Sequence, residues 1–348
     1  MYKDQYMVGF DIVTNNLKGV IPANTRFMTM DWFVDVLKQE KATDRFNVET
    51  IYYMYSNNDV ETLSQTEAAE AEEELSSGVK WISFKQKFFS YAIVSKDSFD
   101  DAFVEMHTKS RPSNSRYQKS MSAIIDIPFD GLNEDNTIGM SYYFGPNDFK
   151  ELKQYDINLE KQIPLGGKLV AWINRLIVIP VFDWLGQYGW SYGVVILILT
   201  LIIKICLMPI AFKSYMSSAK MRVLKPEIDA INAKYPKPDD AMKKQQAIMD
   251  LYKKAGASPT SGCLPMLLQF PILIAIFRFF PSSIELRQQP FLWAEDLSTY
   301  DSILDLPFNI PFYGDHVSLF TLLMTASTLL YTYINNKQMK QAQGDQAM

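Results

Sequence analysis

Three long apolar runs in the second half of the chain decide what it can fold into: Trp190–Phe212, Cys263–Phe280 and Val317–Ile334. In hydrocarbon every backbone N–H and C=O must find its partner inside the segment, so such runs are helices. At about 1.5 Å per residue the first reaches roughly 34 Å, enough to cross a bilayer core of about 30 Å. The second and third lie near the lower length limit for a span. The second contains Pro265, Gln269 and Pro271, and the third is rich in threonine. These runs predict a membrane protein.

The chain before residue 189 has a different character. Alternating, β-branched and aromatic stretches recur at Tyr6–Val13, Val48–Tyr55, Val79–Val94, Ser120–Pro128 and Thr137–Phe144. Turn clusters such as Ser56-Asn57-Asn58-Asp59 and Phe129-Asp130-Gly131 separate them. The pattern predicts an antiparallel β-sandwich over 1–163. One acidic stretch, Glu67 to Glu74, reads as an exposed loop or a short solvated helix. Residues 164–188 then change to helical spacing. Leu169, Trp172, Ile173, Leu176 and Ile177 are apolar, Lys168, Asn174 and Arg175 are polar, and Trp184 follows. A tryptophan-bearing amphipathic helix beside a span predicts an interfacial position.

Charge sets the orientation. Residues 213–256 carry ten Lys/Arg against five Asp/Glu, a net of +5. They divide at Tyr235-Pro236-Lys237-Pro238 into two helical stretches, Ser214–Tyr235 and Asp239–Lys254. Residues 281–316 hold one Arg against six acids, and residues 1–189 hold 19 basic against 27 acidic groups. Short basic loops stay in the cytoplasm, so the hairpin is inside, and the β domain and the 281–316 loop are outside. An exported domain needs a preceding signal, and residues 1–30 have no apolar run. We therefore expect an earlier membrane anchor upstream of this sequence.

Few residues carry chemistry. The overall net charge of −5 argues against a nucleic-acid binder. Cys206 and Cys263 lie in or beside apolar runs and read as two buried free thiols. His107 and His316 are isolated, and no metal-ligand spacing, phosphate loop or nucleophile elbow occurs. The chain is expected to be neither an enzyme nor a cofactor binder. Lys204 stands out. It lies about 12 Å of helix from Phe212 and about 21 Å from Trp190, in the cytoplasmic half of the first span. An intramembrane cation needs water or a partner. Snorkelling to the interface is the competing reading, although Lys213 already fills that role. Thr200 shares its helix face, and Gln269 lies in the second run. Thr321, Thr325, Thr328 and Thr332 form one stripe on the third, for helix packing or for a wet cavity. None of the three runs contains Asp or Glu, which argues against a proton relay.

With these residues in view, the segment Trp190–Tyr235 resembles the first core span and cytoplasmic hairpin of YidC-type membrane insertases. GCLPMLLQFPILIAIF and SSIELRQQPFLWAEDLS resemble that family's next span and outer loop, and YYFGPNDFKEL the end of its large periplasmic domain. The resemblance implies a bacterial inner-membrane protein. Its parts would be an incomplete periplasmic β-sandwich (1–163), an interfacial helix (164–188), spans at 189–212, 260–280 and 317–334, a cytoplasmic hairpin (213–259), a periplasmic loop (281–316) and a cytoplasmic tail (335–348). It implies a hydrophilic groove that passes nascent membrane segments into the bilayer, with Lys204 as its basic residue. Thr200, Gln269, Thr325 and Thr328 would share that groove. Implied partners are nascent membrane proteins, the Sec translocon, the ribosome and lipid, with no sequence-specific nucleic acid. Lys204 stands where the family usually has Arg, and two further core spans are expected beyond this sequence. Two other readings remain open at this point: a transporter or channel subunit with broken helices, and a membrane-anchored periplasmic binding protein.

Overall fold

The computed structural model describes residues 5–17, 20–41, 49–63, 70–76, 78–108, 116–132, 135–236, 240–256, 264–311 and 313–344. They fall into two compact units, Met1–Pro164 with Arg278–Arg287, and Leu165–Phe277 with Gln288–Met348.

The first unit is built from β1 (Met7–Thr14), β2 (Phe27–Leu37), β3 (Thr50–Tyr55), β4 (Val60–Thr62), β5 (Glu70–Leu75), β6 (Val79–Lys85), β7 (Phe89–Phe99), β8 (Asp101–Thr108), β9 (Tyr117–Pro128) and β10 (Asn136–Pro146). Two antiparallel sheets result, ordered β1-β10-β7-β6-β3-β4 and β2-β9-β8-β5. Alternation places Val36, Met121, Ile125 and Val104 of the smaller sheet against Ile51, Phe84, Ile93 and Met140 of the larger one. Trp32 stacks on Phe84 between the sheets, with ring centroids 3.9 Å apart. The interior is therefore a sandwich core.

Several strands depart from the sequence expectation. The run Val79–Val94 is two strands, since the chain reverses at Gln86–Phe88 and Gln86 N–H donates to Phe89 O at 2.8 Å. The acidic stretch is not a loop or helix: from Glu70 onward it is β5, an edge strand. Glu70, Glu72 and Glu74 face outward, while Leu75 is fully buried. Glu73 points inward to the Tyr53 hydroxyl, whose pKa burial raises well above its usual value, helped by that carboxylate. Glu67 and Val48 lie outside the described residues. Strands β2 and β8 arise where no strand is expected from the sequence.

After β10 the chain turns into α1 (Phe149–Lys153), whose N-cap Asp148 accepts from Glu151 N–H at 2.7 Å. Trp81 Nε1–H donates to Ile157 O at 2.8 Å. Buried Gln162 accepts from Ser83 and donates to Ser90, pinning the segment to the larger sheet. Arg278–Arg287 belongs to this unit. Arg287 Nε pairs with Glu40 at 2.9 Å, and its guanidinium lies 5.7 Å from the Phe89 ring centre. Glu285 accepts from Ser283 and shares a hydrogen bond with Asp148. Burial, then Asp148, pushes Glu285 up to about 7.

The second unit opens with α2 (Lys168–Ile173), a π-helical turn (Asn174–Val178) and α3 (Ile179–Gly186). Asn174, fully buried, donates to Leu165 O at 3.2 Å. Then follow α4 (Tyr192–Val223), α5 (Lys225–Lys234), α6 (Ala241–Lys254), α7 (Leu264–Ser282), β11 (Leu304–Ile310), β12 (Gly314–Val317) and α8 (Leu319–Gly344). By length and composition Lys168–Gly186 and Tyr192–Ser217 can cross a membrane, and Leu267–Ser282 and Leu319–Ile334 are shorter apolar helices. Helix α4 continues past Phe212 to Val223, so the first arm of the expected hairpin is split between α4 and α5. Pro226 explains the break: it cannot donate to residue 222, but fits the first turn of α5, where no donor is needed.

The 288–318 segment is tied to the helix starts. The Phe291 ring presses on the start of α4 so closely that a β-carbon at Gly193 would fall 2.0 Å from it. Asp301 is buried and accepts from Trp293 Nε1–H and Phe320 N–H, each at 2.9 Å, and from the Ser318 hydroxyl. It thereby caps α8 from a distant loop. Burial alone would raise its pKa, but these donors outweigh burial and hold it below the usual carboxylate value.

Two expectations follow. Asp301→Ala leaves the α8 start uncapped and costs about 1–3 kcal/mol. Hydrogen exchange at Phe320 and Thr321 should accelerate, and in the unaltered chain this protection should fade as pH drops below the ordinary Asp range. Unchanged exchange would contradict the cap. For Glu285 the sign is opposite, because the folded state holds its proton more tightly than the unfolded chain. The clamp is strongest below the ordinary Glu pKa of 4.5 and weakens as pH rises toward about 7. Exchange across 278–287 should rise over that window, and Glu285→Gln should abolish the dependence.

Candidate functional site

Helix α4 is apolar on nearly all sides, yet its residues are not equivalent. Val195 and Leu199 are fully buried within the unit. Leu197, Leu201, Ile205, Met208 and Phe212 are all more than half exposed and recur three or four residues apart, forming one outward stripe. Apolar side chains presented this way in a chain with such helices suit lipid as the covering medium. Lys204 lies nine residues beyond Val195, about two and a half turns, and so on the opposite side from it. It is exposed and borders the outward stripe.

Thr200 stands one turn before Lys204, and its hydroxyl donates to Ile196 O at 2.8 Å. The α8 threonines behave alike: Thr325 donates to Thr321 O at 2.9 Å, Thr328 to Met324 O and Thr332 to Thr328 O, both at 2.8 Å. Each hydroxyl proton is thus satisfied within its own helix. Each oxygen keeps a free lone pair, so an exposed threonine stripe offers acceptors without stranding a donor. Gln269 is half-buried on α7. Among the described residues no hydrogen bond or ion pair joins Lys204, Thr200, Gln269, Thr325 and Thr328 to one another.

The cysteine expectation is corrected in part. Cys206 is exposed on α4 rather than buried, and Cys263 lies outside the described residues. A small apolar side chain on a lipid-facing helix need not be covered by protein, which is why an apolar run misleads about burial. The outward stripe from Leu197 to Phe212 escaped the sequence reading, although its three-and-four spacing was present. In contrast, no local signal announces the Asp148–Glu285 contact or the Asp301 cap, since their partners are remote or lie across turns.

Helices α5 and α6 form the basic hairpin. No side chain in either is buried, and Lys243 pairs with Asp240 at 3.3 Å. Such a surface suits contact with a polar partner in water.

Comparison with known proteins adds the following. Residues 1–180 match the family model described as the YidC periplasmic domain, and residues 184–348 match that of the 60Kd inner membrane protein. The chain is 44% identical over 99% of its length to the membrane protein insertase YidC of Parabacteroides distasonis, and covers 56% of that protein. It is 45% identical over 96% of its length to the Bacteroides fragilis insertase YidC, covering 54%. For the Porphyromonas gingivalis protein of the same name the figures are 40%, 99% and 57%. The chain thus spans about half the length of the curated relatives it matches.

Proposed function

The chain belongs to the YidC family of inner-membrane proteins, and on that premise we propose that it acts in membrane-protein insertion, with Lys204 as the cation of a hydrated groove. The reading rests on one observation: a lysine bordering a lipid-facing apolar stripe, two turns inside the end of the apolar run, with no carboxylate in that run. A charge at bilayer depth costs about 2.5–3.5 kcal/mol on insertion scales unless water reaches it. Thr200 supplies further polar lining on the face of α4 that carries Lys204, and Gln269, Thr325 and Thr328 supply it from α7 and α8.

The mechanism follows from solvation. A nascent chain with a polar flank beside an apolar segment meets a barrier, because each unpaired polar group costs several kcal/mol in hydrocarbon. A wet notch in the cytoplasmic half thins the apolar layer that the flank must cross. The Lys204 ammonium attracts acidic residues and backbone carbonyls of that flank, and the threonine oxygens accept its donors. The apolar segment then leaves sideways into lipid, driven by burial of its surface. No nucleotide, metal or covalent step is required. The basic hairpin α5–α6 lies in the cytoplasm under the positive-inside rule, where ribosome or nascent chain would meet it. The exposed Trp172, Leu176 and Trp184 of the α2–α3 segment support an interfacial position for it, where lipid headgroups or translocon subunits would meet it.

Substitution at the cation gives the test. Lys204→Met should cut insertion of a client with an acidic flank by at least about ten-fold, the effect of losing 1.4 kcal/mol, while Lys204→Arg stays near full rate. The assay is protease protection of the client in reconstituted vesicles. Full insertion by the Met variant would overturn the role of the cation.

A further inference from the structure

The smaller sheet of the β unit turns a second, unexplained face to solvent. On that face Phe33 of β2 is 61% exposed and Ile124 of β9 is 45% exposed. Phe103 of β8 stands directly opposite Ile124, and Phe33 lies diagonal to it through the Asp31↔Ile124 and Phe33↔Ser122 pairs. An apolar stripe therefore crosses three strands. On one side it is bordered by Asp31, Asp126 and Asp101, and on the other by Asp35, Glu105 and Glu72. No Lys or Arg occupies an outward position of the four strands, since Lys119 of β9 has the inward parity and donates to Glu49 O, and His107, between Glu70 and Glu105, is the one basic group at their outward positions.

The face also breaks a rule of sheet construction. Asp101 pairs directly with Asp126, and Glu72 directly with Glu105. Like charges facing each other across strands oppose pairing, and neighbours relieve this only in part: Thr29 donates to Asp126 at 2.9 Å, Ser122 to Glu105 at 3.4 Å, and His107 Nε2 lies 2.6 Å from Glu105, while among the described residues no such contact reaches Asp101 or Glu72. Local violations with no structural return concentrate where a surface serves a partner.

We propose that this face docks a basic, amphipathic segment of another extracytoplasmic protein, its apolar side on Phe33, Ile124 and Phe103 and its cations between the facing carboxylates. Charge complementarity selects the occupant. Anionic lipid headgroups and nucleic acid are repelled. A second copy of the chain is repelled too, since residues 1–189 hold 27 acidic against 19 basic groups. A bare metal ion would leave the apolar stripe without a role. This goes beyond the insertase reading and does not rest on it, because nothing in the groove contributes to this face.

The test uses the full chain in nanodiscs of phosphatidylcholine, with empty discs as the blank. The probe is a short fluorescent peptide of alternating Lys and Leu. Anisotropy should show saturable binding that falls with salt. A Glu/Leu peptide should not bind, and a Lys/Ser peptide should bind more weakly. Phe33→Ser should weaken the Lys/Leu peptide about ten-fold, the effect of a single well-placed anchor. Asp101→Asn with Glu72→Gln should weaken it as well, yet shift thermal unfolding of the β unit upward, because the repulsion is gone. This opposite movement separates docking from simple loss of fold. Equal binding of the Glu/Leu peptide, indifference to both variants, or a downward shift in unfolding would overturn the proposal. So would calcium ion alone displacing the peptide, which would assign the carboxylates to a metal.

Discussion

An ammonium group among aliphatic side chains has two ways to persist: water reaches it, or an anion pairs with it. None of the three apolar runs carries an Asp or Glu that could pair with Lys204, which is why, on the proposed reading, water reaches it. The rest of α4 makes sense around that demand. Val195 and Leu199 hold the helix against its own unit, the stripe from Leu197 to Phe212 is exposed and suits lipid as its cover, and the lysine sits at the edge of that stripe. On the proposed reading, a cation there would open polar space sideways toward hydrocarbon, which an insertion path needs and a closed pore does not.

The two units obey different solvents. The sandwich buries alternate residues of both sheets in a dry core and leaves carboxylates outside. The helical unit leaves large apolar residues outside, and the threonine hydroxyls of α4 and α8, such as Thr200, Thr325 and Thr328, donate within their own helix. Within each unit a few polar contacts hold loop ends in place. Asp301 gathers Trp293, Ser318 and Phe320 at the start of α8. Arg287 and Glu285 fix residues 278–287 within the β unit through Glu40 and Asp148. Both lie where the 283–318 stretch meets an apolar helix, α7 on one side and α8 on the other.

The two-part architecture and its antiparallel sheets were legible because period-2 alternation and long apolar runs are local signals. The failures have local causes too. In β2, Phe27 and Phe33 are apolar on the outward face, so the alternation is blurred. In β5 the run of glutamates imitates a solvated helix, and only its pairing to β8 makes it a strand. The turn at Gln86–Phe88 lacks glycine or proline, which hid the β6–β7 reversal. At the site, the spacing of Thr200 and Lys204 and of the α8 threonines could be read directly, because helical periodicity fixes shared faces. What their side chains meet could not be read, since that depends on how helices pack, and the same limit misplaced Cys206.

The central claim is that water reaches position 204 from the cytoplasmic side while its neighbours stay in oil. Single cysteines at 200, 201, 204 and 205, in a chain with Cys206→Ser and Cys263→Ser, can be challenged with a charged, membrane-impermeant maleimide in inside-out membrane vesicles. The account predicts fast labelling at 204 and 200, with 201 and 205 slower by an order of magnitude or more. Labelling at 204 as slow as at 201 would contradict it.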